Sequence, residues 1–201
     1  MAIARKLSCY EISNADLFAM YRPSDHVEID RLNELKKYEM KDGFVHVGLD
    51  RIVSLAKHLF QVPIALISLV ESERQFFPAR LGIEATETSR ASSFCAHALM
   101  SRALLIVPDT HADARFSENL HVKEAPQIRF YAGCPLVSPN GFILGTLCIV
   151  DTVPRAGLGA DDQRALRDLG ALVEDQLELR RATIERTDQR AELSESGVKR
   201  V

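Results

Sequence analysis

The stretch from residue 129 to residue 151 constrains the fold more than any other part of the chain. It contains two apolar runs, RFYAGCPLVS and FILGTLCIVD, which are separated by Pro139, Asn140 and Gly141. An Asn-Gly pair between apolar runs is a strong signal for a β-hairpin, because both residues accept the backbone conformations of a tight turn. The sequence therefore predicts two antiparallel strands here.

Other segments predict further strands and helices. IALISLV (64–70) and RQFFPARLG (74–82) predict a second hairpin, and LLIVPD (104–109) predicts a strand that ends at its proline. Apolar residues at helical spacing predict helices from Asp25 to Gly43, over 46–60, over 94–101 and from Asp161 to about Ile184. Residues 110–128 show turn chemistry and no clear period. Strands grouped between terminal helices predict an α+β fold with an antiparallel sheet.

The pattern divides the chain into three parts. Residues 1–24 show no sustained period and are predicted to be a flexible arm. Residues 25–184 form the predicted domain with its terminal helices. Residues 185–201, ERTDQRAELSESGVKRV, are charged and are predicted to be a tail or a linker to a missing output domain.

Composition narrows the possible partners and locations. The formal net charge of −3 favours neither nucleic acid nor an anionic membrane as a partner. The longest apolar runs are too short to cross a bilayer, and the first residues do not resemble a signal peptide, so the cytoplasm is the expected location. The four cysteines, Cys9, Cys95, Cys134 and Cys148, include no C-x-x-C pair. We expect Cys134 and Cys148 to be inert small hydrophobes, because both lie inside apolar strands.

Five segments in order resemble a known family. VPIALISLVESERQFFPARLG, ETSRASSFCAHAL, IVPDTHADARF, IRFYAGCPLVSPNGFILGTLCIVD and DDQRALRDLGALVEDQL are similar to GAF domains found N-terminal to bacterial diguanylate cyclases, cyclic-di-GMP phosphodiesterases and sensor histidine kinases. The resemblance covers about residues 25–184. It implies a sheet of about six antiparallel strands with the terminal helices on one face. It also implies a loop-covered pocket on the other face and a sensory role.

The pocket is expected between the strands at 104–109 and 128–135, the helix at 94–101 and the long loop. Connections as long as this loop are usually functional. Cys95 and His97 lie two residues apart on a helix and point about 200° apart, so they do not converge on one atom. Packing is the simplest interpretation of Cys95, with redox sensing as the alternative, and Arg129 is expected either to bind an anion or to hold the loop through a carboxylate. The candidate pocket residues are Phe94, Cys95, His97, Asp109, Phe116, His121, Arg129 and Tyr131.

Four chemistries known in the family require residues that can be checked in the sequence. A free methionine-R-sulfoxide reductase requires a second cysteine in the loop at 110–128, which has none. Covalent bilin attachment requires a Cys-His pair, and Leu120 stands before His121 where the cysteine would be. A Cys-x-His pair supplies too few ligands for zinc, and haem is not expected. Cyclic-nucleotide-binding GAF domains carry a Phe-x-x-x-Asp-Glu signature. Phe130 is followed by YAGC and by no Asp-Glu pair. No cofactor and no metal site are predicted.

These observations predict a sensory or regulatory module that is not itself an enzyme. Its ligand, an unidentified small molecule, or a redox change would order the loop and alter the packing of the terminal helices. A methionine sulfoxide reductase and a ligand-free dimerisation module are the alternatives. The expected partners are a second copy of the chain and an output domain or separate signalling protein. The predicted homodimer interface consists of Leu166, Leu169, Val173 and Leu177.

Overall fold

The described chain has helices near both of its ends and a β-sheet formed by the residues between them. The computed structural model describes residues 25–40 and 46–198, so the predicted arm at residues 1–24 lies outside the described residues. In chain order the elements are α1 (Asp25–Lys36), α2 (Val47–Leu59), β1 (Ile64–Val70), β2 (Arg74–Leu81), β3 (Glu87–Ser89), α3 (Phe94–Ala98), β4 (Leu105–Val107), α4 (Leu120–Lys123), β5 (Phe130–Val137), β6 (Ile143–Asp151) and α5 (Ala160–Val198). A 3-10 turn, Arg90–Ser92, precedes α3.

The six strands form one antiparallel sheet in the order β3-β2-β1-β6-β5-β4. This architecture confirms the predicted α+β class. The Asn-Gly turn lies between β5 and β6 as predicted: Gly141 donates its N–H to the Ser138 carbonyl at 2.8 Å and has a φ of +86°, which favours glycine. β3 and α4 form in segments predicted as loop, because elements of three and four residues are too short to show a period.

Each face of the sheet has its own apolar core. Successive side chains of a strand point to opposite faces, so Phe130 and Ala132 of β5 pack among the terminal helices while Tyr131 packs on the other side. Helices α1, α2 and α5 cover the first face. The second face is covered by α3 and by residues 109–129, which we call the lid. The helices and the predicted pocket therefore lie on opposite faces, as expected.

The four α5 residues predicted to form a dimer interface belong to the core of the chain's own domain. Leu166, Leu169, Val173 and Leu177 are all buried against the sheet. That prediction is therefore wrong for these residues. Its cause is physical: helical spacing identifies the apolar stripe of a helix but does not distinguish burial on its own sheet from burial against a partner.

Helix α5 continues well past the sheet. It has 39 residues, which corresponds to a length of roughly 58 Å. The helix continues past Ile184 to Val198, the last described residue, so most of the predicted tail is helical. Residues 185–191 are all exposed. Among the described residues, no helix combines the length and the apolar character that crossing a membrane requires.

Candidate functional site

A small cavity lies on the sheet face opposite the terminal helices. Its volume is about 50 Å³. Its wall is mainly apolar, and none of the lining side chains is an aspartate, glutamate, lysine or arginine. The lining residues are Leu66, Gln75, Phe77, Ile83, Thr88, Phe94, Cys95, His121, Pro126, Ile128, Tyr131, Cys148 and Val150.

The size of the cavity limits what it holds with the lid closed. A water molecule occupies about 30 Å³ of liquid, so a cavity of about 50 Å³ accepts one very small molecule. Pockets for larger metabolites usually measure about 300 Å³ or more. A ligand of that size does not fit inside the cavity in the observed arrangement of the lid.

An aromatic stack anchors the lid above the cavity. The rings of Phe94 and Phe116 stack with centroids 4.3 Å apart, and the Phe94 and Tyr131 rings stack at 5.1 Å. The ring of His97 meets Phe116 edge-on at 4.8 Å. Phe116 is fully buried. Phe94 and Tyr131 line the cavity as predicted, whereas Phe116 and His97 do not. Burial lowers the pKa of His97.

Two side chains of the lid bind the turn in front of α3. Asn119 donates its Nδ2 hydrogen to the Ser92 carbonyl at 2.9 Å, and its Oδ1 accepts the His121 N–H at 2.9 Å. The ring Nε2 of His121 lies 3.1 Å from the Ser92 hydroxyl. Burial lowers the pKa of His121, so the ring is neutral near pH 7. Asn119 thus caps α4 and fastens the lid at the same time.

Replacing Asn119 with alanine is expected to loosen the lid. The change removes a helix cap and a side-chain hydrogen bond, worth together about 1–2 kcal/mol, so amides of residues 110–128 should exchange roughly 5- to 30-fold faster. Hydrogen exchange followed by mass spectrometry measures this. Lys123→Ala, which removes only an exposed ion pair with Glu118, is the matched control and should change little. Equal effects of the two variants would show that Asn119 does not fasten the lid.

Asp109 and Arg129 join the two ends of the lid. The Nε and Nη2 atoms of Arg129 donate to the two carboxylate oxygens of Asp109 at 3.0 and 2.9 Å. The hydrogen bonds from Arg129 lower the pKa of Asp109. Neither residue lines the cavity, although both were candidate pocket residues. The pairing supports the expectation that Arg129 holds the loop through a carboxylate.

A buried polar network extends from the cavity wall into the sheet. Gln75 accepts hydrogen bonds at its Oε1 from Ser68 at 2.8 Å and from Ser93 at 2.5 Å. Its Nε2 donates to the hydroxyl of Thr88 at 2.7 Å. Ser93 also accepts the Ala96 N–H and so caps α3. The network is uncharged and ties α3 to β1 and β2.

Two cysteines meet at the base of the cavity. The sulfur of Cys95 on α3 lies 3.4 Å from the sulfur of Cys148 on β6, and both are free thiols. The Tyr131 hydroxyl lies 3.5 Å from Cys95 Sγ and 3.3 Å from Cys148 Sγ, and the Thr146 hydroxyl lies 2.8 Å from Cys148 Sγ. Cys148 is therefore part of the site, although its place in an apolar strand predicts an inert small hydrophobe.

The observed register of the β5–β6 hairpin places Cys148 on the same face as Tyr131. Cys148 pairs with Gly133, which is two residues from Tyr131 and therefore on the same face. The Asn-Gly turn alone does not set this register, because the pairing shifts by one residue at a bulge between Leu136 and Val137. The position of Cys148 beside Tyr131 therefore depends on the bulge, and its contact with Cys95 depends on how α3 docks.

The environment separates the two thiols electrostatically. Burial raises the pKa of both, but hydrogen bonds from Cys148, Thr146 and Tyr131 to the Cys95 sulfur lower the pKa of Cys95 below its usual value. The pKa of Cys148 is raised, first by burial and then by its hydrogen bond and charge interaction with Cys95. The pKa of Cys95 is thus shifted downwards and that of Cys148 upwards.

Among the described residues, no three His, Cys, Asp or Glu side chains are grouped in a way that fits a metal ion. The two sulfurs at the base of the cavity are accompanied by hydroxyl groups rather than by further thiol, imidazole or carboxylate ligands.

Comparison with known proteins identifies relatives of the whole domain. The family model described as GAF domain matches residues 45–177. A cyclic di-GMP phosphodiesterase of Pseudomonas aeruginosa is 40% identical over 145 residues, which cover 70% of this chain and 25% of that protein. The chain thus spans a quarter of the length of this curated relative.

Solved structures show the same fold at low identity. The GAF domain of an Acinetobacter phosphoenolpyruvate-protein phosphotransferase matches with a TM-score of 0.56 at 14% identity, covering 79% of this chain and 97% of that one. A free methionine-R-sulfoxide reductase from Neisseria meningitidis matches with a TM-score of 0.56 at 18% identity, covering 84% and 94%. At these identities the likeness concerns the fold alone.

Proposed function

The chain belongs to the GAF domain family, and we propose that it is the sensory module of a signal-transduction protein. Its input acts at the cavity beneath the lid, and its output passes through the terminal helices. The observation that carries this proposal is the cavity without charged lining residues, which lies between the lid and the sheet and is held by hydrogen bonds to both.

The lining of the cavity defines the kind of input. A buried charge without a partner is costly, so an anionic or cationic ligand requires an opposite charge in the wall. No charged side chain lines this cavity, and His121 is neutral. Gln75, Thr88 and the cysteine thiols offer only neutral hydrogen-bonding groups. We therefore propose a small neutral molecule, or a redox change, as the input.

A chain of polar contacts leads from α3 to the first terminal helix. Arg90, in the turn before α3, donates through Nη1 to the Glu28 carboxylate on α1 at 2.5 Å and to the Glu71 carbonyl at 3.0 Å. Arg31 of α1 donates to the same carboxylate. A shift of α3 displaces Arg90 and thereby changes how α1 is held. This contact is the proposed route from the cavity to the helices.

The charge of Glu28 makes this route sensitive to acid. Partial burial raises the pKa of Glu28, but hydrogen bonds from Arg31 and Arg90 lower it to about 2. The pKa of Glu28 is lower in the folded state than its ordinary value of 4.5, so the charged carboxylate stabilises the fold above pH 4.5. This stabilisation is lost as the pH falls from 4.5 towards 2. We expect Glu28→Gln to cost about 2 kcal/mol at pH 7 and progressively less below pH 4.5.

Urea unfolding of the wild type and the Glu28→Gln variant between pH 2.5 and pH 7 measures this dependence. Glu185→Gln is the matched control, because it weakens an exposed contact with Arg181 on α5 and should change stability little at any pH. A Glu28 effect that stays constant across this range would contradict the assignment of a functional charge to the Arg90 contact.

We also propose a homodimer, with an interface that differs from the one predicted by the sequence. Leu172 and Leu179 remain 47% and 61% exposed on α5. They are seven residues apart, which places them on the same side of a helix and is the spacing of a coiled-coil seam. α5 also projects beyond the sheet, so two copies of the helix are able to pack without disturbing either domain.

The reductase alternative is less well supported. Free methionine sulfoxide carries an ammonium and a carboxylate, and a site for it needs matching charges, which the cavity lacks. The lid, residues 109–129, contains no cysteine. The relative named as a cyclic di-GMP phosphodiesterase extends far beyond the matched region. We therefore propose that any enzymatic output, in cyclic di-GMP signalling, belongs to another domain or a partner protein.

Hydrogen exchange tests the sensory role. The protein is purified, any bound molecule is identified by native mass spectrometry, and exchange is compared with and without a low-molecular-mass extract of bacterial cells. The expected result is slower exchange in residues 110–128 together with a change in α1 or α5. Lid protection without any change in the helices would leave a binding module with no output. If neither region responds to the extract or to oxidant, the ligand-free dimerisation module replaces this proposal.

A further inference from the structure

We propose that Cys95 and Cys148 form a peroxide-reactive dithiol that closes to an intramolecular disulfide. This inference rests on the proposed function, because it names the input of the same cavity. It also makes a chemical claim that can be tested separately from signalling. The two thiols are 53 residues apart in sequence, yet their sulfurs are only 3.4 Å apart in the fold.

The distance between the sulfurs is short enough for the bond to form with a small movement. A disulfide has an S–S length of about 2.05 Å, so the sulfurs must approach by somewhat more than 1 Å from 3.4 Å. Cys148 is fixed in a central strand that pairs with both β1 and β5. Cys95 lies on α3, a helix of five residues held by its cap and by side-chain contacts. The movement therefore falls on α3.

The cavity gives a small oxidant access to both sulfurs. Cys95 and Cys148 both line it, and its volume of about 50 Å³ suits a molecule close to water in size. Hydrogen peroxide is such a molecule and is neutral, so the absence of charge in the wall is no obstacle. The Tyr131 hydroxyl donates to the Cys95 sulfur, and the Thr146 hydroxyl lies within hydrogen-bonding distance of the Cys148 sulfur.

The reaction has two balanced steps. The Cys95 thiolate attacks one oxygen of hydrogen peroxide, the O–O bond breaks, and the products are the Cys95 sulfenic acid and hydroxide, which takes up the proton lost by the Cys95 thiol to give water. The Cys148 sulfur then attacks the Cys95 sulfur, the S–O bond breaks, and the leaving hydroxide takes the Cys148 proton to form a second water. In sum, two thiols are oxidised by two electrons, and one peroxide is reduced to two waters.

The surroundings assign the first step to Cys95. Cys95 lies on the short helix α3 and is 4% exposed, whereas Cys148 is fully buried in a central strand, so Cys95 is the more accessible thiol. The thiolate is the nucleophile, and hydrogen bonds lower the pKa of Cys95. The third described cysteine offers an internal contrast. Cys134 faces the helices, its sulfur packs against Gly170, and burial raises its pKa to about 11. Cys134 should therefore remain a thiol under the same treatment.

Disulfide formation would act on the contacts that lead to α1. Drawing Cys95 towards β6 moves α3, and with it Ser93 at the cap and Arg90 in the preceding turn. Arg90 holds Glu28 of α1. The oxidised and reduced states would thus differ in how the first terminal helix is docked.

Mass spectrometry of the peroxide-treated protein tests the proposal. Trypsin leaves Cys134 and Cys148 within one peptide, residues 130–155, so the test uses a Cys9→Ser, Cys134→Ala background in which only Cys95 and Cys148 remain. The reduced protein is treated with hydrogen peroxide, free thiols are alkylated, and the digest is examined before and after reduction with dithiothreitol. The expected result is a peptide of residues 91–102 linked to residues 130–155, two hydrogens lighter than the sum and lost on reduction.

Controls distinguish a disulfide between Cys95 and Cys148 from other products of oxidation. In the wild type, fragmentation should place the link on Cys148 and show Cys134 alkylated. Cys95→Ser and Cys148→Ala should each lose the link completely, with folding checked by circular dichroism. Cys95 that is oxidised only to sulfenic or sulfinic acid while Cys148 remains alkylatable would overturn the proposal, as would a link found only between two chains. A correct link with unchanged exchange in α1 and α5 would support the dithiol chemistry and count against the proposed signalling role.

Discussion

Leu177→Asp is expected to unfold the domain, whereas Leu179→Asp should leave it folded and separate the dimer. Leu177 is 2% exposed in the core between α5 and the sheet. Placing a carboxylate there removes an apolar side chain and buries a charge without a partner, a loss of at least about 4 kcal/mol. Domains of this kind have only about 5–15 kcal/mol of stability in total. The midpoint of urea unfolding should fall steeply, or the variant should be unfolded in buffer.

Leu179 lies two residues further on and faces solvent. A charge at this exposed position costs the monomer little, but it places like charges opposite each other across a seam formed by two copies of α5. Ultracentrifugation should show a dimer for the wild type and a monomer for Leu179→Asp, with unchanged circular dichroism. Ala171→Asp is the matched control: it adds the same charge one turn from Asp175, on a side of the helix that is already acidic. A wild-type monomer, or equal dissociation by both variants, would remove the proposed seam.

The contrast between these two leucines shows what helical periodicity determines. The apolar stripe of α5 is visible in the sequence, and so is its helical form. Whether the stripe covers the chain's own sheet or a second copy depends on the length of the sheet beneath it, which local pattern does not reveal. Leu166 and Val173 are buried in the monomer, while Leu172, one residue from Val173, is exposed. The stripe that packs on the sheet contains more apolar residues than the proposed dimer seam. The seam is therefore harder to recognise in the sequence.

The residues of the candidate site were also predicted only in part. Phe94, Cys95, His121 and Tyr131 were predicted and do line the cavity, because the family pattern and the long loop both point to this face. Asp109 and Arg129 were also predicted, but they bond to each other. Their types and positions suit an anion site and a loop clamp equally well, and only geometry separates the two interpretations.

The polar network and Cys148 were missed for another reason. Gln75 bonds to residues on three separate segments, Ser68, Thr88 and Ser93, and no sequence spacing connects them. Cys148 lies in a run of apolar strand residues, where a thiol normally has no special role. Its role arises from the docking of α3, which is a long-range event. The hairpin could be predicted from local turn chemistry, but the partner that α3 brings to it could not.

Gly133→Ala is expected to disrupt the site by displacing Tyr131. A β-carbon on Gly133 would lie 2.4 Å from the Tyr131 hydroxyl oxygen and 2.9 Å from the ring carbon that carries it. The ring has little freedom to move away, because Tyr131 is buried and stacks on Phe94. Gly133 lies in a regular strand without a positive φ, so alanine suits its backbone and the contact alone sets the cost. Overpacking of this kind costs about 2–3 kcal/mol.

A double-mutant cycle with Tyr131→Ala isolates that contact. Tyr131→Ala by itself should be destabilising, because it empties a buried ring site, by about 3–5 kcal/mol. Once the ring is gone, Gly133→Ala should cost almost nothing, so the two changes should couple by about 2 kcal/mol. Urea unfolding of the four proteins measures the coupling. Alkylation of Cys95 supplies a second measurement, because a displaced Tyr131 uncovers the thiol pair and should speed its reaction. Strictly additive free energies, together with unchanged alkylation in Gly133→Ala, would show that the glycine is not what allows Tyr131 to lie over the thiols.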